Sequence, residues 1–412
     1  MLIREKVIFA LEEKRSHFAE YVTAQRDQRR QFDERLHEFF KLDAAEIQQR
    51  LALIPWPGAL PTEEYDQAKR LRIPFGQSWQ NHSESRNWAL EVLRNRTVIA
   101  VDGSQITPTK DVAPPIAAIQ IGWFVNHHQE GGNYCKDVEF DVLTPADFES
   151  EDEEGDLFST VSVVNQVRFE RECEKLAALM EEFSTASEKP LCIFDGSFII
   201  SFAGQLQSND SRLRSYLQRI THLLRRSQEL EVPLVAFVDS SLSHDVTTMI
   251  RHSVDMQQVA KQTDGELLSP PLQAQNDGKQ RALLPQWGDR TPFFWCARND
   301  LLSSNAKTTE MAEYYRDVAF CYIQFAMDRP PARLEIPGWL FKSGRGEEIA
   351  NLLRAESVVG SGYPYAIETA DALAVISMQD RERFYGLFQQ YLKGHEIEMT
   401  QARKARSKLA RR

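Results

Sequence analysis

Two aspartates occupy the same short motif at two places in the chain. Asp102 follows Val98-Ile-Ala-Val and precedes Gly-Ser, and Asp195 follows Leu191-Cys-Ile-Phe and also precedes Gly-Ser. Both aspartates end an apolar segment of the kind that forms a strand buried on both faces. The sequence therefore predicts that each aspartate lies where a buried strand ends, and that the following glycine allows a sharp turn.

Two carboxylates at neighbouring strand ends form a candidate metal site. If the strands are adjacent, the carboxylates lie roughly 5 Å apart, at the sheet edge where open α/β folds bind ligands. Carboxylates this close repel each other and raise a pKa, and a divalent cation removes the conflict. Oxygen ligands suit Mg²⁺ or Mn²⁺, and such a site can hydrolyse phosphodiesters. A single Asp-Gly-Ser is more typical of a structural turn, so the prediction depends on the repetition.

A third carboxylate is expected from a helix predicted over residues 160–184. This helix carries Glu170, Glu172 and Glu174. At helical spacing Glu170 and Glu174 share one face, whereas Glu172 shares a face with Arg168. We favour Glu172 as the inward ligand over Glu170. The alternative is that these glutamates form a solvated acidic stripe on the helix. At least two of the three must face solvent in this way.

The remaining pattern predicts the elements that position these residues. Helical periodicity covers residues 1–50 and 83–95, and alternating strand and helix signals follow. Strands are predicted at 97–102, 116–125, 137–143, 190–195, 232–239 and 333–337, and further helices at 210–230 and 365–375. This order indicates an α/β fold with a mixed sheet and helices on its faces. We divide the chain into a helical extension (1–95), a main domain (96–380, with a loop-rich insertion near 260–300) and a C-terminal helix with a basic tail (381–412).

The composition restricts the functional class. The net charge of -11 over 412 residues argues against a protein that coats nucleic acid through bulk charge. The acidic run 149–156 and the basic tail 403–412 are local exceptions. Five scattered cysteines without CxxC spacing predict free thiols rather than disulfides or a zinc site. No segment predicts a membrane span or a signal peptide, so we expect a cytoplasmic protein. No P-loop motif is present, so ATP hydrolysis would have to come from a partner.

The chain resembles the NurA family of DNA nucleases at four places. These are Val98–Ser104, the Arg- and Glu-rich segment 168–174, Ile193–Ser197, and Gly362-Tyr-Pro-Tyr-Ala-Ile-Glu-Thr-Ala-Asp371. Arg333-Leu-Glu-Ile-Pro337 is also similar to the family's segment before the last motif. The resemblance spans roughly residues 95–380, and Gly-Tyr-Pro-Tyr is its most distinctive part.

The resemblance implies an RNase H-like fold that requires Mn²⁺ or Mg²⁺. It implies a 5′-3′ exonuclease and single-strand endonuclease that acts as a homodimer with the hexameric ATPase HerA, in DNA end resection and recombinational repair. By motif, Asp102, Asp195 and the helical glutamate would be metal ligands. Asp371 would lie at or near the site as a catalytic residue.

Two residues depart from the family pattern. Asp371 stands where many members have histidine, so it can add a ligand but cannot act as a neutral imidazole. Asp239 stands where lysine is common, and it is a further ligand, a cap for a helix over 243–252, or neither.

Other interpretations remain open. Tyr363 and Tyr365 either stack on unpaired DNA bases, a contact worth about 1–3 kcal/mol each, or pack the C-terminal helix. The chain as a whole is a nuclease, a non-catalytic DNA-end or helicase adaptor that kept the fold, or another RNase H-like nuclease such as a junction resolvase or RNA nuclease. An acidic chain also predicts weak activity without the partner.

Overall fold

A computed structural model describes residues 2–68, 70–148, 157–200, 211–255, 262–269, 283–298, 316–397 and 400–401. The acidic run 149–156, residues 270–282 of the predicted loop-rich insertion and the basic tail 403–412 lie outside the described residues. Within the described ranges, no helix is long and apolar enough to span a membrane.

Eleven strands are described. In chain order they are β1 (Gly58–Pro61), β2 (Val98–Ile106), β3 (Val112–Ala113), β4 (Ala117–Asn126), β5 (Tyr134–Leu143), β6 (Leu191–Asp195), β7 (Leu234–Val238), β8 (Phe294–Ala297), β9 (Val318–Ile323), β10 (Ala332–Pro337) and β11 (Thr400–Gln401). Nine form one sheet in the order β1-β8-β9-β10-β7-β6-β2-β4-β5. Within it β2, β6 and β7 are parallel and the other neighbours are antiparallel. The predicted mixed α/β sheet is confirmed, and its assignment as RNase H-like stays a prediction.

The described α-helices lie before, between and after these strands. They are α1 (Arg4–Glu12), α2 (Arg15–Phe39), α3 (Ala44–Leu51), α4 (His82–Leu93), α5 (Pro145–Phe148), α6 (Leu157–Glu182), α7 (Ser211–Leu230), α8 (Asp245–Ser253), α9 (Asp264–Leu268), α10 (Gly338–Lys342), α11 (Gly346–Val359), α12 (Tyr365–Ala374) and α13 (Met378–Gly394). The predicted helices over 83–95, 160–184, 210–230 and 365–375 are confirmed within a few residues at each end.

The central strands of the sheet are buried on both faces, whereas the edge strand β5 is exposed along most of its length. Successive side chains in a strand point to opposite faces. On β2, Ile99 and Val101 pack beneath α6 and α7. Val98 and Ala100 point the other way and pack with residues of α4, α11 and α12. A strand between two helical layers needs apolar residues at every position, which explains the continuous apolar runs before Asp102 and Asp195.

The N-terminal region contributes more than helices. Helix α3 begins with a capping box, in which Asp43 accepts from the backbone of Glu46 at 2.8 Å. Downstream, β1 pairs with β8 and forms one edge of the main sheet. The helical character of residues 1–50 is confirmed, and the proposed boundary at residue 95 stays a prediction.

The prediction that Gly103 and Ser104 end the first strand was wrong. Strand β2 continues through both residues to Ile106. Gly103 pairs with Ile121 and Ser104 with Gln120 of β4, so this antiparallel partner extends the strand beyond Asp102. Asp102 therefore lies within a strand, whereas Asp195 is the last residue of β6, as predicted.

Candidate active site

The two repeated aspartates lie next to each other across parallel strands. Val101 of β2 pairs with Phe194 of β6, so the register brings the next residues, Asp102 and Asp195, to the same level. Both follow the alternation of Ala100 and Ile193, and they therefore point to the face that α11 and α12 cover. The adjacency that the metal-site prediction requires is present.

Both carboxylates favour the protonated form more than an ordinary aspartate does. Burial, opposed by a backbone hydrogen bond from Gly103 and reinforced by the Asp371 side chain, raises the pKa of Asp102 from 3.8 to about 6. Partial desolvation, followed by the negative charges of Asp102 and Asp371, raises the pKa of Asp195 from 3.8 to about 6, although its side chain still reaches solvent. The site thus concentrates negative charge that water does not fully screen.

Glu172 approaches the two aspartates from the other face of the sheet. It projects from α6 beside Gly103, where an added Cβ atom would lie only 2.5 Å from Glu172 Oε1. Burial raises the pKa of Glu172 from 4.5 to about 8, with contributions from Asp102 and Asp195. Arg168 opposes this rise by pairing with the Glu172 carboxylate. The missing side chain at Gly103 is therefore what admits a third carboxylate.

The other two candidate glutamates of α6, Glu170 and Glu174, face away from this cluster. Glu170 accepts from Gln166 and Ser215 and pairs with Arg219. Glu174 pairs with Arg171 and with Arg219 of α7. Glu172 is thus the helical glutamate that lies beside the aspartates, and its role as a ligand stays a prediction.

Helix α12 brings Asp371 to the cluster because Gly122 lets it approach the sheet. Gly122 is the β4 partner of Asp102. A Cβ atom at Gly122 would lie 2.8 Å from Ala374 N and 3.0 Å from Ala370 O. At this closeness the Asp371 side chain comes within hydrogen-bonding reach of Asp102.

We expect Gly122→Ala to destabilise the protein by about 1–3 kcal/mol, the usual cost of overpacking a tight contact. The added methyl group would meet the backbone of α12, which cannot rotate away. Gly386→Ala in α13 is the control, since a Cβ atom added there would have nothing within 4 Å, and it should gain about 0.5–1 kcal/mol. Urea unfolding measures both, and an unchanged midpoint for Gly122→Ala would contradict the close packing of α12.

The two tyrosines of the Gly-Tyr-Pro-Tyr motif have different surroundings. Tyr363 donates a hydrogen bond to Asp195, which lowers the pKa of that carboxyl, and its ring packs edge-on against Phe237 at 5.3 Å between centroids. Tyr365 is 37% exposed and packs against Phe124 at 5.8 Å. Each ring therefore has a packing role near α12, and base stacking by either stays a prediction.

A buried glutamate anchors the start of α12. Glu356 of α11 accepts from Ala366 N at 2.8 Å, and its Oε1 lies 3.1 Å from His128 Nε2. The Glu356 side chain raises the pKa of His128 against the opposing effect of burial. His128, which carried no functional signal in the sequence, thus lies beneath the helix that carries Asp371.

Asp239 lies in the turn after β7, near enough to Tyr363 to raise the pKa of its hydroxyl. It does not cap the next helix, because α8 begins after His244 and has no side-chain cap. Among the three roles considered for Asp239, helix capping is excluded.

In the described part of the chain, no group of three or more His, Cys, Asp or Glu side chains is arranged to hold a metal ion as it stands. The reason at Glu172 is visible, since its carboxylate pairs with Arg168. The donor chemistry nevertheless fits a hard divalent cation, because Asp102, Asp195, Glu172 and Asp371 supply only oxygen atoms. Negative charge nearby also helps to raise the pKa values of Asp102, Asp195 and Glu172.

Sequence reasoning missed three contributors to this geometry. Arg168 was noted only as a residue on the face of Glu172, and the i, i+4 spacing was the available signal for its ion pair. Gly122 carried no local signal. Glu335 and Arg333 are charged residues inside the fully buried strand β10, and two such residues at alternate positions indicate a buried ion pair.

Comparison with known proteins places the chain in a family. Two solved structures match with probability 1.00. "Crystal structure of NurA with manganese" has a TM-score of 0.40 and 10% identity, and covers 72% of this chain and 89% of that one. "Crystal structure of NurA" has a TM-score of 0.36 and 9% identity, and covers 72% and 88%. No curated protein matches the chain. The NurA domain model matches residues 96–376, which include the whole carboxylate cluster, and the chain therefore belongs to the NurA family of nucleases.

Proposed function

We propose that the chain is a metal-dependent deoxyribonuclease whose site is the carboxylate cluster around Asp102 of β2 and Asp195 at the end of β6. The observation that carries the proposal is the convergence of Asp102, Asp195 and Glu172 from three elements, with each pKa raised. Such a cluster is costly to keep unless it has a function that needs concentrated negative charge. Membership of the NurA family supports phosphodiester hydrolysis as that function.

Asp102, Asp195 and Glu172 would hold the metal, Mn²⁺ or Mg²⁺. The bound cation would neutralise the carboxylates and supply the Lewis acidity that activates water and stabilises charge on the phosphate. Tyr363 favours the ionised form of Asp195 by donating to it. Arg168 neutralises Glu172 when metal is absent. Asp371 adds negative charge and hydrogen-bonds with Asp102.

The biological role we propose follows the family. The protein would degrade DNA 5′ to 3′ and cut single strands, as a homodimer with a HerA-type hexameric ATPase, in cytoplasmic end resection and recombinational repair. The Tyr363 and Tyr365 rings are the proposed contacts to unpaired bases. The rival proposal is a non-catalytic DNA-end or helicase adaptor. Its support is the departure from the family pattern at Asp239 and Asp371, together with the Arg168–Glu172 pair, which engages a proposed ligand.

The test is cleavage of end-labelled single-stranded and duplex DNA with Mn²⁺, Mg²⁺ or EDTA. We expect metal-dependent cleavage that is weak for the protein alone and stronger with a HerA-type ATPase, since a chain of net charge -11 binds DNA poorly. Complete digestion by the protein alone at physiological salt would contradict the need for a partner. No cleavage with the ATPase present would favour the adaptor.

A further inference from the structure

A fully buried carboxylate outside the cluster holds the segment that follows Asp195. Glu335 of β10 is 0% exposed. Its Oε2 accepts from Phe198 N at 2.7 Å, and the Ser197 hydroxyl lies 2.9 Å from both of its carboxylate oxygens. Glu335 is thus hydrogen-bonded to the side chain of Ser197, the last residue of the Asp195-Gly-Ser motif, and to the backbone N–H of Phe198, the next residue.

The geometry of the motif explains why these bonds reach Asp195. Gly196 has φ +136°, a conformation that disfavours other residues. Its N–H donates to Phe237 O of β7 at 3.0 Å. The chain after Asp195 is therefore fixed at Gly196 by β7 and at Ser197 and Phe198 by Glu335. Asp195 directly precedes these anchors, which therefore limit how far its backbone can shift away from Asp102.

A buried carboxylate needs a compensating charge, and Arg333 provides it. Arg333 Nε donates to Glu335 Oε1 at 2.7 Å, and its Nη1 donates to Asp245 at 2.7 Å. The guanidinium also lies 3.8 Å from the centroid of the Phe320 ring. Asp245 pairs in turn with Arg298 at 2.6 Å. This alternating row of two carboxylates and two guanidinium groups holds Glu335 in place.

We propose that Glu335 is a positioning residue that acts on the metal centre by fixing the exit of β6 and hence Asp195. The proposal rests on the proposed function, since it assigns Glu335 a role at that same site. Glu335 touches neither the carboxylate cluster nor substrate directly. Partners of this kind commonly change metal affinity or activity by 10- to 100-fold when removed.

Asp264 offers a matched control for Glu335. It is also 0% exposed, and it accepts from two backbone amides, Val246 N at 3.1 Å and Thr247 N at 2.9 Å. A hydroxyl, that of Tyr322, donates to it at 2.8 Å. Asp264 therefore matches Glu335 in burial and in accepting from the backbone and from a hydroxyl. It differs in that Glu335 is also paired with Arg333, and in that Asp264 anchors the start of α8 rather than the chain after Asp195.

The experiment compares Glu335→Gln with Asp264→Asn in the full chain by calorimetric titration with Mn²⁺ alone. We expect Glu335→Gln to weaken Mn²⁺ binding roughly 10- to 100-fold, and Asp264→Asn to change it less than about threefold, even where both lower the melting temperature. Ser197→Ala removes one Glu335 contact without disturbing a buried charge, so it tests the link if Glu335→Gln does not fold. We expect it to weaken binding in the same direction.

Hydrogen exchange of the peptide that covers residues 191–200 separates this proposal from the proposed function. We expect faster exchange of Phe198 in Glu335→Gln than in wild type or Asp264→Asn, because its amide loses a charged acceptor. If the wild-type protein binds no Mn²⁺, the proposed metal centre is wrong. Hydrogen exchange of Phe198 still tests whether Glu335 anchors the chain after Asp195. Equal Mn²⁺ affinity in Glu335→Gln and Asp264→Asn, or unchanged exchange of Phe198, would overturn the positioning role.

Discussion

Replacing Asp102 or Asp195 with asparagine is expected to lower metal-dependent DNA cleavage by roughly 10³-fold or more. A metal contributes several kcal/mol of charge stabilisation, and each 1.36 kcal/mol is about tenfold in rate. Asparagine keeps the size of each side chain but removes the charge that would hold the cation. The loss should appear mainly in kcat, measured on end-labelled single-stranded DNA with saturating Mn²⁺.

The α6 glutamates supply a control within one helix. Glu172→Gln should reduce cleavage strongly, whereas Glu174→Gln should leave it within about threefold, because Glu174 pairs with Arg171 and Arg219 instead. Equal effects of the two changes would mean that Glu172 acts only through stability. Cleavage that survives both Asp102→Asn and Asp195→Asn would mean that the active site lies elsewhere.

The metal-free protein is expected to lose stability as the pH rises from about 4 to about 8. The ordinary pKa values of these acids are 3.8 and 4.5, and the folded protein raises them to about 6 for Asp102 and Asp195 and to about 8 for Glu172. Between these limits the folded state binds more protons than the unfolded state. The free energy of unfolding therefore falls with rising pH, and the stability present at low pH is lost through this window.

A divalent cation should reverse this loss, and Asp102→Asn should reduce it, because the change removes one of the three carboxylates and its charge on the other two. Mn²⁺ at one hundred times its Kd stabilises a folded protein by about 2.7 kcal/mol. The measurement is the melting temperature at pH 5 and pH 8, each with EDTA or with Mn²⁺, for wild type, Asp102→Asn and the exposed β5 control Asp137→Asn. We expect the increase in melting temperature on adding Mn²⁺ to be largest at pH 8. This increase should disappear in Asp102→Asn but not in Asp137→Asn. A metal-free stability that rises from pH 5 to pH 8 in wild type, but not in Asp102→Asn, would contradict the raised pKa values.

Local sequence predicted those parts of the site that depend on a single element. The apolar runs before Asp102 and Asp195 predicted strands because burial on both faces requires apolar residues at successive positions. Helical spacing separated Glu172 from Glu170 and Glu174, since residues four apart share a face. The Gly-Tyr-Pro-Tyr motif indicated where α12 begins, because proline suits the start of a helix.

Local sequence patterns could not identify residues whose role depends on a partner far away in the chain. The extension of β2 to Ile106 depends on pairing with β4, and the closeness of Asp371 to Asp102 depends on the contact between Gly122 and α12. The burial of Glu335 depends on β10 lying beside β7 in the sheet order. The hydrophobic periodicity of a segment does not reveal these contacts, because it indicates only which face of that segment is buried.

The sequence by itself thus determined the α/β class, the two aspartates that directly follow buried apolar segments and the helix that carries the third carboxylate. Only the tertiary structure decided that Arg168 holds Glu172, that Tyr363 donates to Asp195 and that Glu335 anchors the chain behind it. The physical reason is that a strand or helix specifies its own conformation and faces through contacts within a few residues. Charge pairing and close packing are specified instead by which segments the sheet order makes neighbours.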